Sequence, residues 1–149
     1  MRNIFGKIAA IITIITCAAC FGGCANKSDR IIGEWRDNTM QGKSFVFDKN
    51  DHATMILGNE VIGGKDRVGR NHTGELKYEV NYNHDPYWLD LVVYEAGTTN
   101  ELRRIKGIFR FISNNKMELR MNMEPDGGRF SDFDRHDEEN TMVLEKVSQ

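Results

Sequence analysis

From residue 74 onward the chain alternates. Leu76, Tyr78, Val80 and Tyr82 fall on one side, and Glu75, Lys77, Glu79 and Asn81 on the other. Met117, Leu119 and Met121 alternate in the same way with Lys116, Glu118, Arg120 and Asn122. A period of two belongs to an extended strand with one face buried and one wet. No 3.6-residue period competes with it. Turn chemistry separates the runs. Asp48-Lys49-Asn50-Asp51 and Asn114-Asn115 supply residues that tolerate positive φ, Ala96-Gly97-Thr98-Thr99-Asn100 makes a loop, and Pro86 breaks the chain before Tyr87. Eight strands are predicted, at about 31–36, 43–48, 52–57, 74–82, 87–94, 102–112, 116–122 and 141–147. Two longer connections remain. One is Gly-rich, from Gly58 to Asn71; the other is acidic, from Met123 to Asn140. Short strands at even spacing predict an all-β fold, a single small antiparallel barrel or sandwich. A closed barrel leaves no exposed edge.

Residues 1–23 have a different pattern. Arg2 and Lys7 precede an apolar run from Ile8 to Phe21, and a polar stretch, Asn26-Lys27-Ser28-Asp29-Arg30, follows. The run is shorter than the roughly 20 apolar residues a bilayer crossing needs, so it reads as an export signal. Residues 24–30 then form a tether, and 31–147 the domain. The cysteines are Cys17, Cys20 and Cys24, so a mature domain starting at Cys24 holds no other thiol, which excludes a thiol nucleophile or a cysteine metal site. Arg2 and Lys7 leave with the signal; 18 of the 20 basic residues then face 22 acidic ones, a net charge of −4. That balance argues against nucleic acid as a partner.

Phe21-Gly22-Gly23-Cys24 resembles the lipobox of bacterial lipoproteins, with Phe21 where Leu is usual and Cys17-Ala18-Ala19-Cys20 as a competing box. The resemblance implies cleavage after Gly23 and acylation of Cys24 through a thioether. Two or more acyl chains hold a protein stably at a membrane. The expectation is a lipoprotein of the cell envelope, facing the periplasm or the cell exterior.

Gly33-Glu34-Trp35 on the first domain strand resembles the lipocalins, in which such a Trp closes one barrel end against a basic residue near the last strand. Lys146 is the corresponding cation here, where Arg is usual, and a Trp35–Lys146 cation–π pair is expected. Pro86-Tyr87-Trp88-Leu89-Asp90, Gly107-Ile108-Phe109, Met117-Glu118-Leu119 and Arg129 with Phe133 are similar to an uncharacterised lipocalin-like domain of exported bacterial proteins. Phe130 replaces that domain's usual Pro. This resemblance implies a barrel and no established activity.

Candidate chemistry is sparse. His52, His72, His84 and His136 have no metal-ligand spacing. Ser131 lacks a nucleophile-elbow context. Asp90 alternates with Leu89 and Leu91 and so faces water on its strand; its recurrence in the lipocalin-like pattern implies a structural hydrogen bond and no catalytic role. The acids Glu124, Asp126, Asp132, Asp134, Asp137, Glu138 and Glu139 lack an EF-hand pattern and read as a solvated loop. No catalytic residue, metal ligand or cofactor is assigned. Phe45, Phe47, Leu89, Leu91, Phe109, Met117 and Met121 point to a largely filled lumen. Trp88 and Tyr94 alternate out of that core and are expected to be exposed partner contacts. Two readings stay open: a carrier of a small apolar ligand, and an adaptor or inhibitor that meets an envelope protein through its loops.

Overall fold

The structure, a computed structural model, describes residues 27–38, 42–64, 73–124 and 126–147. Cys24 and His72 lie outside these residues. A 3₁₀ turn, Lys27–Ile31, leads into nine antiparallel strands: β1 Gly33–Asp37, β2 Lys43–Phe47, β3 Ala53–Leu57, β4 Glu60–Gly63, β5 Gly74–Asn81, β6 Tyr87–Glu95, β7 Glu101–Ser113, β8 Lys116–Asn122 and β9 Thr141–Lys146. They form one sheet in the order β4-β3-β2-β1-β9-β8-β7-β6-β5. Every neighbour pair except β1–β9 is consecutive in sequence, so the sheet is a meander whose last strand returns beside the first.

The sheet curls until its two edges meet, giving a nearly closed barrel. Across the seam Tyr78 N–H donates to Asp51 O at 2.8 Å and Leu76 N–H to Gly64 O at 3.3 Å. His52 and Lys77 form an isolated bridge between them. These contacts partner β5, which would otherwise be an open edge.

Nine strands replace the expected eight. Glu60–Gly63 was expected to be part of a long Gly-rich connection; instead it pairs back on β3, with Leu57 opposite Glu60 and Thr54 opposite Gly63. The physical reason is Gly58, at φ 61°, which lets a two-residue turn reverse the chain. With two apolar residues among its four positions, β4 is too short to show a period.

Alternation sorts the side chains as the sequence predicts. Trp35, Phe45, Phe47, Leu76, Leu89, Leu91, Phe109, Met117, Leu119, Met121 and Leu144 are buried in one core. Ring contacts fill much of the interior. Phe47 meets Phe45 and Tyr78 at centroid distances of 6.4 and 5.0 Å. A second chain runs from Tyr82 to Phe109 (6.0 Å), to Phe111 (5.4 Å), to Trp35 (6.0 Å). Centroid spacings of 4.5–7 Å are those of favourable aromatic pairs. No helix among the described residues is long and apolar enough to cross a membrane.

Candidate functional site

Three regions hold the polar and aromatic groups singled out in the sequence: a plugged barrel mouth, a strapped outer wall, and a groove beside the strap.

The 3₁₀ turn plugs the mouth. Ile31 is buried among the core residues. Trp35 Nε1–H donates to Ile31 O at 2.7 Å, and Lys146 Nζ donates to Arg30 O at 3.0 Å. Lys146 Nζ also stands 5.2 Å from the centre of the Trp35 ring, and Trp35 and Lys146 are register partners across β1 and β9. Burial, reinforced by the charge of Arg30, holds the Lys146 ammonium below its ordinary pKa. Arg30, which the sequence reading left in the tether, belongs to the closure too. Its guanidinium lies 4.0 Å from the Phe111 ring centre and donates to Ser113 O at 3.0 Å. Beside the plug opens a cavity of about 510 Å³, with Ile31, Lys49, Tyr78, Val80 and Tyr82 on its walls. Burial pushes the phenols of Tyr78 and Tyr82 up to about 12.

The acidic connection 123–140 is solvated at its carboxylates, as expected, with Glu124, Asp126, Asp132, Asp134, Glu138 and Glu139 exposed, but residues 129–137 do not hang free. They fold back over the outer face of β6, β7 and β8, and three arginines pin them there by stacking on aromatic rings. Arg129 lies 4.3 Å from the Trp88 ring centre, Arg120 3.9 Å from Phe130, and Arg110 4.5 Å from Phe133. Arg129 also donates to Gly107 O and stands 2.7 Å from Asp90 Oδ1, a close ion pair without the alignment of a hydrogen bond. The loop acids serve the loop itself. Asp137 pairs with Arg120 at 2.7 Å and is held below the usual carboxylate range by that bond. Asp132 and Asp134 accept the backbone N–H groups of Phe133 and His136. Among the described residues no three His, Cys, Asp or Glu side chains converge on a metal site.

Trp88 faces outward but is half-buried, not exposed. Arg129 covers its ring, and the His84 imidazole stacks on it at 3.4 Å with planes 5° apart. Tyr94 is also half-buried. Its hydroxyl is 3.4 Å from Glu79 Oε1, and Lys77 Nζ is 5.5 Å from its ring centre. Slight burial, with Glu79 and Glu101 nearby, raises its pKa. Asp90 faces outward as expected, yet it is 8% exposed because Arg129 and Arg104 cover it. Arg104 gathers Glu79, Asp90 and Glu101 at 2.6 to 3.1 Å, which keeps it protonated.

Alternation places Glu118 among the wet residues of its strand. It lies on the outer face of β8, opposite Val143 and Arg110, yet it is 1% exposed. Arg110 binds it through Nε (2.8 Å) and Nη2 (2.6 Å), both to Oε2. A charge this deep on the wet face requires a cover, and the cover is the 123–140 connection. Phe130 and Phe133 were the available signal, because a solvated acidic loop has no use for two aromatic rings. Glu118 forms the floor of a groove of about 350 Å³ between β7, β8, β9 and the strap.

Comparison with protein-family models, with curated proteins and with solved structures finds no match.

Proposed function

We propose that the chain is a non-catalytic lipoprotein of the cell envelope, acylated at Cys24, whose barrel works as a binding module for a partner protein. The supporting observation is the interior: two runs of touching rings and a core of side chains with almost no exposure occupy the space a carrier would keep for cargo. An eight- or nine-stranded barrel is narrow enough for its own side chains to fill it. The outer wall is where the molecule offers shape and charge, through the strap, the groove and Tyr94. Function therefore rests on the outside of the barrel and the lipid on its amino terminus.

A second reading has one observation in its favour. The cavity of about 510 Å³ beside the plug, lined by Ile31, Ile32, Val80 and the two tyrosines and rimmed by Asp29, Lys49, Asp51 and Glu79, has room for a small molecule with an apolar part at the mouth.

Native mass spectrometry of the full acylated chain, released from detergent micelles, tests both readings. The expected mass is the mature polypeptide from Cys24 plus its acyl groups. A further discrete mass of a few hundred daltons, lost when Tyr78 is replaced, would favour the mouth as a ligand site. A start upstream of Cys24 without acylation would remove the lipoprotein reading.

A further inference from the structure

Ile108 is buried on the outer side of the wall. It pairs with Trp88 on β6 and Arg120 on β8, so it points outward with them. It is 1% exposed, yet it stands apart from the residues of the barrel core. Its cover comes from the strap, whose Arg129 lies over Trp88 and whose Phe130 stacks on Arg120. Ile108 and Trp88 thus belong to a small second cluster outside the barrel, of the kind found under long loops.

The cover is attached by side chains and not by a ladder. Among the described residues, the backbone bonds of the strap are local: Gly127 N–H to Glu124 O, Asp137 N–H to Asp134 O and Thr141 N–H to Asp137 O, with Met121 N–H to Asn140 O closing the base. Asn122 and Lys43 hold the two roots by donating to the carbonyls of Gly128 and Glu139. Between the roots, Arg129 donates to Gly107 O, and Arg120 donates to Asp132 O and to Asp137. The three arginine–ring stacks complete the attachment. Gly128 has nothing within 4 Å of where a Cβ would stand, so the chain has room to turn at that root.

Lifting the strap strands no carboxylate on the wall. Glu118 keeps Arg110 at 2.6 Å and Asp90 keeps Arg104 at 3.1 Å, and both arginines belong to β7. The strap itself carries seven carboxylates against the guanidiniums of Arg129 and Arg135. Crowded like charges repel, which favours release into water.

We infer that residues 129–138 lift from β6, β7 and β8 as a unit while the barrel stays folded, uncovering Trp88 and Ile108. Segments with few buried apolar contacts and no ladder are those that open below the global unfolding free energy. The closed strap hides an apolar pair on the outer wall, and the open strap presents it. This motion goes beyond the partner-binding reading and does not depend on it, since it needs neither lipid nor partner.

The test uses the full acylated chain in detergent micelles with one thiol added on β7. Ile108→Cys places it under the strap, and Ile105→Cys places it in the core, where Ile105 is 4% exposed. Iodoacetamide is the probe, and peptide mass mapping locates the label. The Ile108→Cys thiol is expected to react at least about tenfold faster than the Ile105→Cys thiol. Its rate should also rise less steeply in urea, because lifting a strap exposes less surface than unfolding a barrel. Phe133→Ala removes the ring stacked on Arg110 and should speed the Ile108→Cys reaction by about tenfold. The same rate and urea dependence at both positions overturns the inference, because the strap then lifts only when the barrel unfolds. So does an Ile108→Cys rate that Phe133→Ala leaves unchanged, or one equal to that of a free thiol in a short peptide. Amide exchange in the unaltered chain repeats the comparison without a substitution. The Thr141 N–H, bonded to Asp137 O, is expected to exchange with weaker urea dependence than the ladder amides of β7 and β8, and equal dependence overturns the inference.

Discussion

Arg129 and Trp88 hold the 123–140 connection to the barrel wall, the guanidinium standing 4.3 Å from the ring centre. The same guanidinium faces Asp90 at 2.7 Å and reaches the carbonyl of Gly107. Three kinds of contact thus converge on one side chain that is 16% exposed. Replacing it leaves the buried Asp90 carboxylate with Arg104 alone.

Arg129→Gln is therefore expected to lower stability by about 2–4 kcal/mol, the range for breaking a mostly buried ion pair. Urea unfolding with Trp fluorescence reads it. Arg129→Lys keeps the charge, loses the fork, and should lose about half as much. A change below about 0.5 kcal/mol, the usual effect of a surface substitution, would mean that the strap contributes nothing to stability.

Leu91→Trp tests the filled lumen. Leu91 is 0% exposed within the core. Overpacking is expected to cost about 1–3 kcal/mol. A variant of unchanged melting temperature, with the new indole fluorescing as a buried ring, would reveal interior space and support a carrier.

The seam depends on Gly63. Its φ is 113°, and a Cβ there would collide with the Ala53 carbonyl and come within 2.8 Å of Leu76. Both obstacles belong to β3 and β5, the strands that meet at the closure. Gly63→Ala should destabilise the barrel by about 3 kcal/mol or more, from strain and steric overlap together. Gly64→Ala, with φ 78° and a nearest neighbour at 3.7 Å, should cost only about 1–2 kcal/mol. Equal effects of the two in chemical denaturation would mean that the seam is loose.

Alkaline titration should expose the two tyrosines. Their folded pKa values, raised to about 12 from 10.0, mean that unfolded chains release these protons first as pH rises. Their contribution to stability is complete below the unfolded value and declines as pH climbs through the interval to the folded one. Burial is the main cause at both sites. Melting temperatures measured across that interval should fall, and Tyr78→Phe should flatten the decline. The same variant loses the hydrogen bond to Asp48 O (2.8 Å) and about 1 kcal/mol at neutral pH. A decline unaffected by removal of either phenol would place the titration elsewhere.

The barrel was legible in the sequence because its period-2 pattern is what sheet burial imposes. The inward residues Phe45, Phe47, Leu89, Leu91, Phe109, Met117 and Met121 were placed correctly by alternation alone. β4 was not legible, since four residues with two apolar side chains cannot establish a period. The outer wall was legible least. Alternation sorts side chains as in or out, but it does not say when a distant connection returns to cover the outside. Glu118, Asp90 and Trp88 all read as wet, and all three lie under cover supplied by residues 129–135 or by other side chains of the same wall. The pairing of Trp35 with Lys146 was within reach because a resemblance pointed to it. Arg30 was not, since a plug depends on a backbone turn whose five residues carry no period.

The plug begins at Lys27. With Cys24 acylated, as proposed, three residue steps separate lipid from barrel, a reach of roughly 10 Å at full extension. The mouth bearing the turns at 48–52 and 114–115 would then lie down on the headgroups. Because the strands run antiparallel from end to end, the connection at 96–100 and the root of the strap at Asn122 stand at the other pole. Such a molecule has little freedom to swing. It would stand as a short fixed post, its height set by the strands, presenting the groove sideways to whatever shares the bilayer with it.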